Sequence, residues 1–431
     1  MNKMIEIRDP IHGYIFANEL EKEVIDTRVF QRLRRINQLG MAYLTYPGAE
    51  HKRFIHCIGA MHLAGEVGRH LLNLGEISRE DEQYIRLAAL LHDLGHGPFS
   101  HTFEDVMVKY LNKTHEDMTV WLIENTEIRD IVEKYGYDSK ELSQLSVGRR
   151  TSKLKPFLDE IISSPFDVDK MDFLIRDSHF TGVQYGLVDI KRLIYSMNIV
   201  EDHLAIEVPG ALYALESFIM ARYEMFKAVY YHRTVRSANM MMSKAMDLAA
   251  DHIGLKSIKD PEDYIIMDDP YVIVKIREVK NEKDENLKLA YKMIEMLERR
   301  QLLKCAYEAT IHTRDKYVSS ILSNENIRRE VERELAEEAK IPEGQVYIDL
   351  PTLPSIPYSP KQLDPMEVYV FEEVDDKRIL KRMSEISNIA SMLKGYVDVL
   401  RVYTFPQYRE SVKKAAERIF GERPITTKIS L

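Results

Sequence analysis

Residues 90–101 read LLHDLGHGPFSH. Just upstream, the apolar residues from Tyr84 to Leu91 recur with helical spacing, and Ser78 followed by Asp81 has the form of a capping box. Gly95, Gly97 and Pro98 end that helix just after His92 and Asp93. A histidine and an aspartate therefore sit side by side at a helix's C-terminal end, where a distorted backbone lets neighbouring side chains turn toward one point.

The same helical spacing appears in Phe30 to Leu39, Phe54 to Leu72 and Phe103 to Leu111. From Ala211 to about Ile253 there is neither proline nor glycine, so this stretch is one long helix or two joined closely. The character changes near residue 255: Asp260, Pro261 and Asp268-Asp269-Pro270 mark loops, Tyr291 to Leu303 looks helical, and Tyr307 to Thr313 is ambiguous. Pro351, Pro354, Pro357 and Pro360 make a connector leading into Met366 to Phe371, whose VYVF suits a strand. A helix over Lys377 to Leu393 and a strand over Val397 to Tyr403 are expected after it. The fold class is mainly α, a helical catalytic core over residues 1–250 with a smaller α+β region over 251–431.

A chain of 431 residues, 45% hydrophobic and 30% charged, buries a substantial core and is too apolar for general disorder. Sixty Lys+Arg against 69 Asp+Glu leave a net charge of -9, which gives no footprint for duplex nucleic acid, so any bound anion must meet locally clustered cations. The two cysteines, Cys57 and Cys305, form no disulfide framework and no C-x-x-C pair. MNKMIEIRDP lacks the apolar stretch of a signal peptide, and nowhere do some 18 apolar residues run together. A cytoplasmic protein away from membranes is the expectation.

Four words carry the chemistry: RFIHCIGAMHLA at 53–64, LLHDLGHGPFSH at 90–101, HE at 115–116 and DVDKMDFLIRD at 167–177. Singly, each reads as an ordinary buried histidine or a chance dipeptide among 14 histidines. Together His56, His92, Asp93 and Asp169 supply two imidazoles and two carboxylates, the mixed donor set that borderline divalent metals accept. Asp169, Phe173 and Asp177 fall at i, i+4 and i+8 with Lys170 beside them, and Arg222, Phe226 and Tyr230 repeat that spacing. Two facing helices lining a site would need this pattern; an amphipathic core stripe with snorkelling charges also produces it.

The order H…HD…D resembles the HD phosphohydrolase superfamily. Within it, DPIHG at 9–13, FQRLRRINQLG at 30–40, YPGAEHKRFIH at 46–56, HDLGHGPFSH and DVDKMDFLIRD are similar to the deoxynucleoside triphosphate triphosphohydrolases over roughly residues 7–245. No counterpart of the sterile-α-motif domain of some members is expected. The resemblance implies a helical, homo-oligomeric enzyme, dimer or tetramer, that uses one divalent ion (Mn, Fe, Ni, Co, Zn or Mg) to cut a deoxynucleotide into deoxynucleoside and triphosphate.

It also implies roles. His56, His92, Asp93 and Asp169 hold the metal. Arg53, Lys170 and Arg222 neutralise phosphates, while Gln38, Leu39, Asp177 and Tyr230 surround the sugar and exclude a 2'-hydroxyl. His96, His101 and His115 approach the scissile phosphate: His101 is the expected general acid, His115 with Glu116 the alternative, and His96 a phosphate contact. Phe173 departs from the family's tyrosine, and the lost hydrogen bond to a charged group is worth about 1.5–3 kcal/mol of binding. Asp26, Gln31 and Arg34 match an activating nucleotide site of regulated members, but FQRLRR equally reads as a helix with a solvated basic face, and Arg8 replaces the small polar residue expected nearby.

Other substrates fit the same metal site: a ribonucleotide, a guanosine alarmone or a phosphodiester. A non-catalytic nucleotide sensor is the reading from another class. The Met240-Met241-Met242 run and Trp121 read as packing, the charge runs at 280–300 and 326–340 as solvated helix faces, and His12 as a tie for the N-terminal turn.

Overall fold

Ser78 and Asp81 do form a reciprocal capping box, and the helix they start runs from Arg79 to Leu91 with His92 as its C-cap. This computed structural model describes residues 4–312, 322, 324–350, 368–389 and 397–421. The helices that build the site are α1 (Arg53–Asn73), α2 (Arg79–Leu91), α3 (His101–Leu111), α4 (His115–Asn125) and α5 (Val168–Thr181). α6 (Val208–Met225) and α7 (Arg233–Leu248) follow. Thr114 and Asp117 form a second capping box at the start of α4, and Gly182, at φ 78°, ends α5 in the left-handed region where glycine carries no Cβ penalty.

α1 lies against both α2 and α5, and its glycines are spaces for buried charge. A Cβ on Gly59 would stand 2.0 Å from Asp172 Oδ1, and one on Gly65 would stand 2.2 Å from Arg86 Nη1. Arg86 pairs there with Glu21, both buried. The stretch from Ala211 to Ile253 is two helices, joined by a π turn at Phe226–Tyr230.

Among the described residues, three small sheets complete the fold. β1 (Ile5–Asp9) and β2 (Gly13–Ala17) form a hairpin. β3 (Met197–Val200) and β4 (His203–Glu207) form another, extended across β4 by two strands from far down the chain. The third sheet has β9 (Val397–Thr404) between β5 (Lys304–His312) and β6 (Val346–Asp349), all antiparallel. The strands that extend β4 are β7 (Tyr369–Val374), which pairs with it in parallel, and β8 (Lys377–Arg382) at the edge. This second sheet therefore crosses any division at residue 250.

Between them lie α8 (Asp269–Glu278), α9 (Glu285–Glu298), α10 (Glu325–Ala339) and α11 (Arg409–Phe420). One apolar cluster runs from Ile15 to Phe405 and includes Met241 and Met242, while a second, with Tyr307, Leu335, Val346, Val402 and Val412, lies between the β5–β9–β6 sheet and α10 and α11. The architecture is mainly α with a small α+β unit toward the C-terminal end.

Two expectations change and one ambiguity is resolved. Lys377 to Leu393 does not start as a helix: Asp375 and Asp376, at φ 50° and 58°, turn the chain so that Lys377–Arg382 pairs with β7, and only Met383–Ile386 is helical. Residues 390–393 of that stretch lie outside the described residues. KRILKR looks helical because a sheet's edge is protected by charge, which gives an edge strand a solvated helix's composition. The Tyr291 helix begins earlier, at Glu285, and ends at Glu298, where Arg300 takes φ 53°. The ambiguous Tyr307–Thr313 segment falls in β5 as far as His312. The proline-rich connector at 351–360 lies outside the described residues.

Candidate metal and phosphate site

His56 lies on the first turn of α1, His92 caps α2, Asp93 follows it, and Asp169 lies on the first turn of α5. Both imidazoles have their Nδ1 atoms occupied: His56 Nδ1 is 2.8 Å from Asp172 Oδ2, and His92 Nδ1 is 2.8 Å from the carbonyl of Ala89. Both therefore turn Nε2 toward the same point, with the two Nε2 atoms 3.2 Å apart. His56 Nε2 is 3.0 Å from Asp169 Oδ1 and 3.5 Å from Asp93 Oδ2; His92 Nε2 is 3.4 Å from Asp93 Oδ1 and 3.5 Å from Asp169 Oδ1.

Donors about 2.0–2.1 Å from a divalent ion stand roughly 3.0–3.4 Å from one another, so these four residues fit the edges of a coordination shell. His56, His92 and Asp93 form one cluster of compatible ligand atoms, and Asp169 borders two of its members. The opening lies on the Asp169 side, whose side chain is 28% exposed while that of His56 is fully buried.

The electrostatics match. Burial disfavours charge on His56, but hydrogen bonds to Asp169 and Asp172 outweigh it and raise its pKa to about 10. Burial likewise opposes ionisation of Asp93, yet the Arg53 guanidinium beside it and the neighbouring histidines hold its carboxyl well below the usual range. Asp172 is the hub beneath. It accepts from Arg176 Nε at 2.7 Å and Nη2 at 2.9 Å, and its Oδ1 is 2.6 Å from His12 Nε2. Arg176 also reaches Asp9 at 2.9 Å.

Cations surround the carboxylates. Arg53 donates from Nε to Ser100 Oγ at 2.7 Å and pairs with Asp93 through Nη1. Lys170 is tied to Asp167 Oδ2 at 2.6 Å. Arg222, 2% exposed, gives Nη1 to the Pro165 carbonyl at 3.2 Å, but its Nε and Nη2 are buried without a partner. Burial lowers its pKa to about 10, offset by Asp167 and Asp169 nearby.

A polar end adjoins the cations. Tyr230 donates to Asp177 Oδ2 at 2.6 Å, His51 Nε2 lies 2.7 Å from Asp177 Oδ1, and Phe173 meets Tyr230 edge-on at 6.2 Å. Gln38 is buried with Oε1 unpartnered, beside the half-buried Leu39. Because Phe226–Tyr230 is a π turn, Arg222, Phe226 and Tyr230 do not repeat on one straight stripe as expected; Tyr230 reaches Asp177 nonetheless.

The third histidine group stacks at the rim, with His96 and His115 rings 4.1 Å apart and His101 4.9 Å from His96. Burial and the Arg53 charge push His96 down, and the same two causes lower His101 to about 4. His101 is exposed, which softens the effect, but its direction is toward the neutral form. His115 moves the other way: burial opposes charge, but the Glu104 carboxylate, 3.0 Å from its Nδ1, prevails and raises it. His115 is thus held toward its charged form and His101 toward its neutral form. The hydrogen-bonding carboxylate of His115 is Glu104, while Glu116 adds to the negative field at His115 and faces Arg149 at 3.7 Å. His96, His101 and Glu104 also lie close enough to form a second ligand cluster, though Glu104 is engaged by His115.

Residues 53–157 match the HD domain, and residues 188–430 match the HD associated region. The chain belongs to the HD-domain phosphohydrolases. It is 37% identical to the uncharacterized protein YwfO of Bacillus subtilis, over 65% of this chain and 63% of that one. It is 32% identical to the deoxynucleoside triphosphate triphosphohydrolase SAMHD1 homolog of Dictyostelium discoideum, over 71% of this chain and 61% of that one. The HD chain thus spans about three fifths of the length of these curated relatives. A hypothetical protein of Aquifex aeolicus has the same fold, with a TM-score of 0.75 at 29% identity over 96% of this chain and all of that one. HD domains bind divalent metals, in keeping with the donor set above. Among the described residues no helix is long and apolar enough to cross a membrane.

In this HD protein the sequence words miss what lies behind them. Asp9 ties down the N-terminal turn through the amides of Ile11 and His12, whereas His12 itself reaches across to Asp172. Asp172, Arg176, Glu104, His51 and Asp167 were not singled out. Asp167, Asp172 and Arg176 lie within DVDKMDFLIRD and His51 within YPGAEHKRFIH, but the words do not show what each side chain pairs with, and Glu104 lies in none of them. Gln31 and Arg34 bond each other at 2.8 Å and the Arg34 guanidinium lies over the Phe54 ring, while Asp26 caps the helix Glu19–Ile25.

Proposed function

We propose that this protein hydrolyses deoxynucleoside triphosphates to deoxynucleoside and inorganic triphosphate. The observation that carries this reading is Arg222. A guanidinium with two buried, unpartnered nitrogens and no carboxylate of its own suits an anion with several oxygens, and it lies within electrostatic reach of Asp169 and Tyr230. The Dictyostelium relative, whose name states this activity, supports the same substrate class.

His56, His92, Asp93 and Asp169 would hold a divalent ion, which when bound would supply Lewis-acid chemistry at the scissile phosphate. The rest belongs to side chains. Arg53, Lys170 and Arg222 bind and orient the phosphates. Asp177, with one oxygen taken by Tyr230 and the other by His51, keeps a lone pair on each for a sugar hydroxyl, while Leu39, Phe173 and Tyr230 wall that end. His115 donates Nδ1–H to Glu104, whose charge favours the doubly protonated ring, so that Nε2 also carries a proton for the departing 5'-oxygen. Glycine at Gly95, where a Cβ would stand 2.1 Å from the His115 carbonyl, lets α4 approach the HD corner closely enough for this.

Incubation with each deoxynucleoside triphosphate and a product-resolved assay tests the reading; inorganic triphosphate is the expected product, and release of phosphate or pyrophosphate alone contradicts it. His115→Ala should lower kcat by about 10²–10⁴-fold, whereas His101→Ala should keep the shape of the pH profile. Activity should fall as pH rises through the raised His115 pKa, because the acid must be protonated to donate. The missing hydroxyl at Phe173 favours a second reading, another phosphate ester cut at the same site, and a panel with ribonucleotides, guanosine alarmones and phosphodiesters separates the two.

A further inference from the structure

The segment from Tyr264 to Asp269, in the HD associated region, sits against the back of the catalytic loops. Tyr264 donates its hydroxyl to the Gly95 carbonyl at 2.7 Å, and the Met267 carbonyl accepts from Arg32 Nε at 3.0 Å. Arg32 in turn donates to the His96 carbonyl at 2.9 Å. Asp268 caps α8 by accepting from the Tyr271 amide at 2.9 Å. Asp269, the first residue of α8, does something else: its Oδ1 accepts from the Phe99 amide at 2.6 Å and its Oδ2 from the Asn37 amide at 2.9 Å. It is 5% exposed, and none of its hydrogen-bond partners is a cation.

Those two amides belong to the two loops that line the site. One loop carries Gln38 and Leu39; the other carries His96, Ser100 and His101. Phe99 and Ser100 stand at φ 57° and 58°, a left-handed conformation that non-glycine residues hold only when the surroundings enforce it. Ser100 then links the loops a second time, donating Oγ to the Asn37 carbonyl at 2.6 Å while accepting from Arg53 Nε at 2.7 Å. Arg53 leads on to Asp93.

We propose that Asp269 is a positioning residue for the HD site, a carboxylate from the associated region that clamps the 37–39 and 97–100 loops in catalytic register. It touches neither metal ligands nor phosphate; it acts through Phe99 and Asn37. The catalytic consequence rests on the phosphohydrolase reading above, but the clamp itself does not. Asp269→Asn keeps the shape but offers one oxygen and one NH2 group to two N–H donors, so one loop is released.

Turnover in Asp269→Asn should drop by roughly 10–100-fold at about pH 8, with metal content unchanged, as expected for a small misplacement of catalytic groups. Burial pushes the Asp269 carboxyl up to about 7. Below that pH the wild-type side chain is itself protonated, so the wild-type to variant ratio should shrink toward one. Lys52, Asp268, Arg32, Arg35 and Tyr43 are the charged and titratable groups that surround Asp269, and they are common to both proteins. A purely structural defect would leave the ratio constant with pH.

Hydrogen exchange of peptides covering 36–40 and 97–101 reads the clamp without turnover. Faster exchange of either segment in the variant supports the proposal; unchanged exchange of both overturns it, as does a pH-independent ratio. If the wild-type protein hydrolyses no nucleotide, the functional reading falls and the exchange result alone decides the clamp. If the variant does not fold, the wild type carries the test: protection of both segments, corrected for intrinsic rate, should weaken between about pH 8 and about pH 6, and constant protection rejects the idea.

Discussion

The HD centre and the β5–β9–β6 sheet are held together by opposite means. Around His56 buried charges are held in pairs, Arg53 by Asp93, Arg176 by Asp172 and Asp9, Lys170 by Asp167, with Arg222 the exception. Between the sheet and helices α10 and α11 the buried groups are Tyr307, Leu335, Val346, Leu400 and Val412. There the pairs such as Arg333–Glu330 and Arg418–Glu338 stay in solvent. An exposed pair is nearly dispensable, because water replaces the lost partner. A buried one is not, since removing either member strands a charge in a medium that cannot solvate it. The first region is therefore specified by partners, the second by volume.

The comparison breaks most visibly at Asp172. Asp172→Ala leaves Arg176 with Asp9 alone and His56 Nδ1 unpartnered, so the expected loss is about 3–5 kcal/mol in denaturant unfolding. Because Asp172 orients a metal-binding imidazole, metal affinity should fall about 10–100-fold as well. Wild-type metal content in a folded variant would contradict the assignment. A cut in the sheet unit should separate the two quantities. Leu400→Ala, at a site 2% exposed, should cost about 2–5 kcal/mol through the cavity it leaves and should leave metal content unchanged.

The smallest effect sharpens the contrast through protons. The raised His56 pKa, about 10, means that an ion entering the site must displace a proton over the whole neutral range. Metal affinity should therefore rise with pH, by up to about tenfold per unit for that one proton, in calorimetric titrations at several pH values. Flat affinity between about pH 6 and about pH 9 would show that His56 is neutral before binding.

The same division explains what was legible in the sequence. His56, His92, Asp93 and Asp169 stand in words whose residue types are required by chemistry, and His92 stands at a helix end marked by its own glycines and proline. Their supports were hidden because they pair across the chain: His56 with Asp172 spans 116 positions, and Phe99 with Asp269 spans 170. An aspartate beside a proline, as Asp269 is, reads locally as a loop. The resemblance brings His101 and His115 to the scissile phosphate without telling their charges apart; the Arg53 charge near His101 and the Glu104 carboxylate at His115 set them in opposite directions. In the sheet unit the apolar strand Val397–Thr404 is readable, whereas in the sheet that extends β4 the charged Lys377–Arg382 imitates a helix.

The parallel pairing of Ile206 with Val370 and of Glu207 with Phe371 has a consequence for how the chain comes to be assembled. A two-stranded hairpin at 197–207 is marginal alone, and its missing neighbour is made more than 160 positions later. During synthesis the edge of β4 waits unpaired until Val370 emerges, so the catalytic half reaches its finished form late and stays exposed to wrong strand partners in the interval.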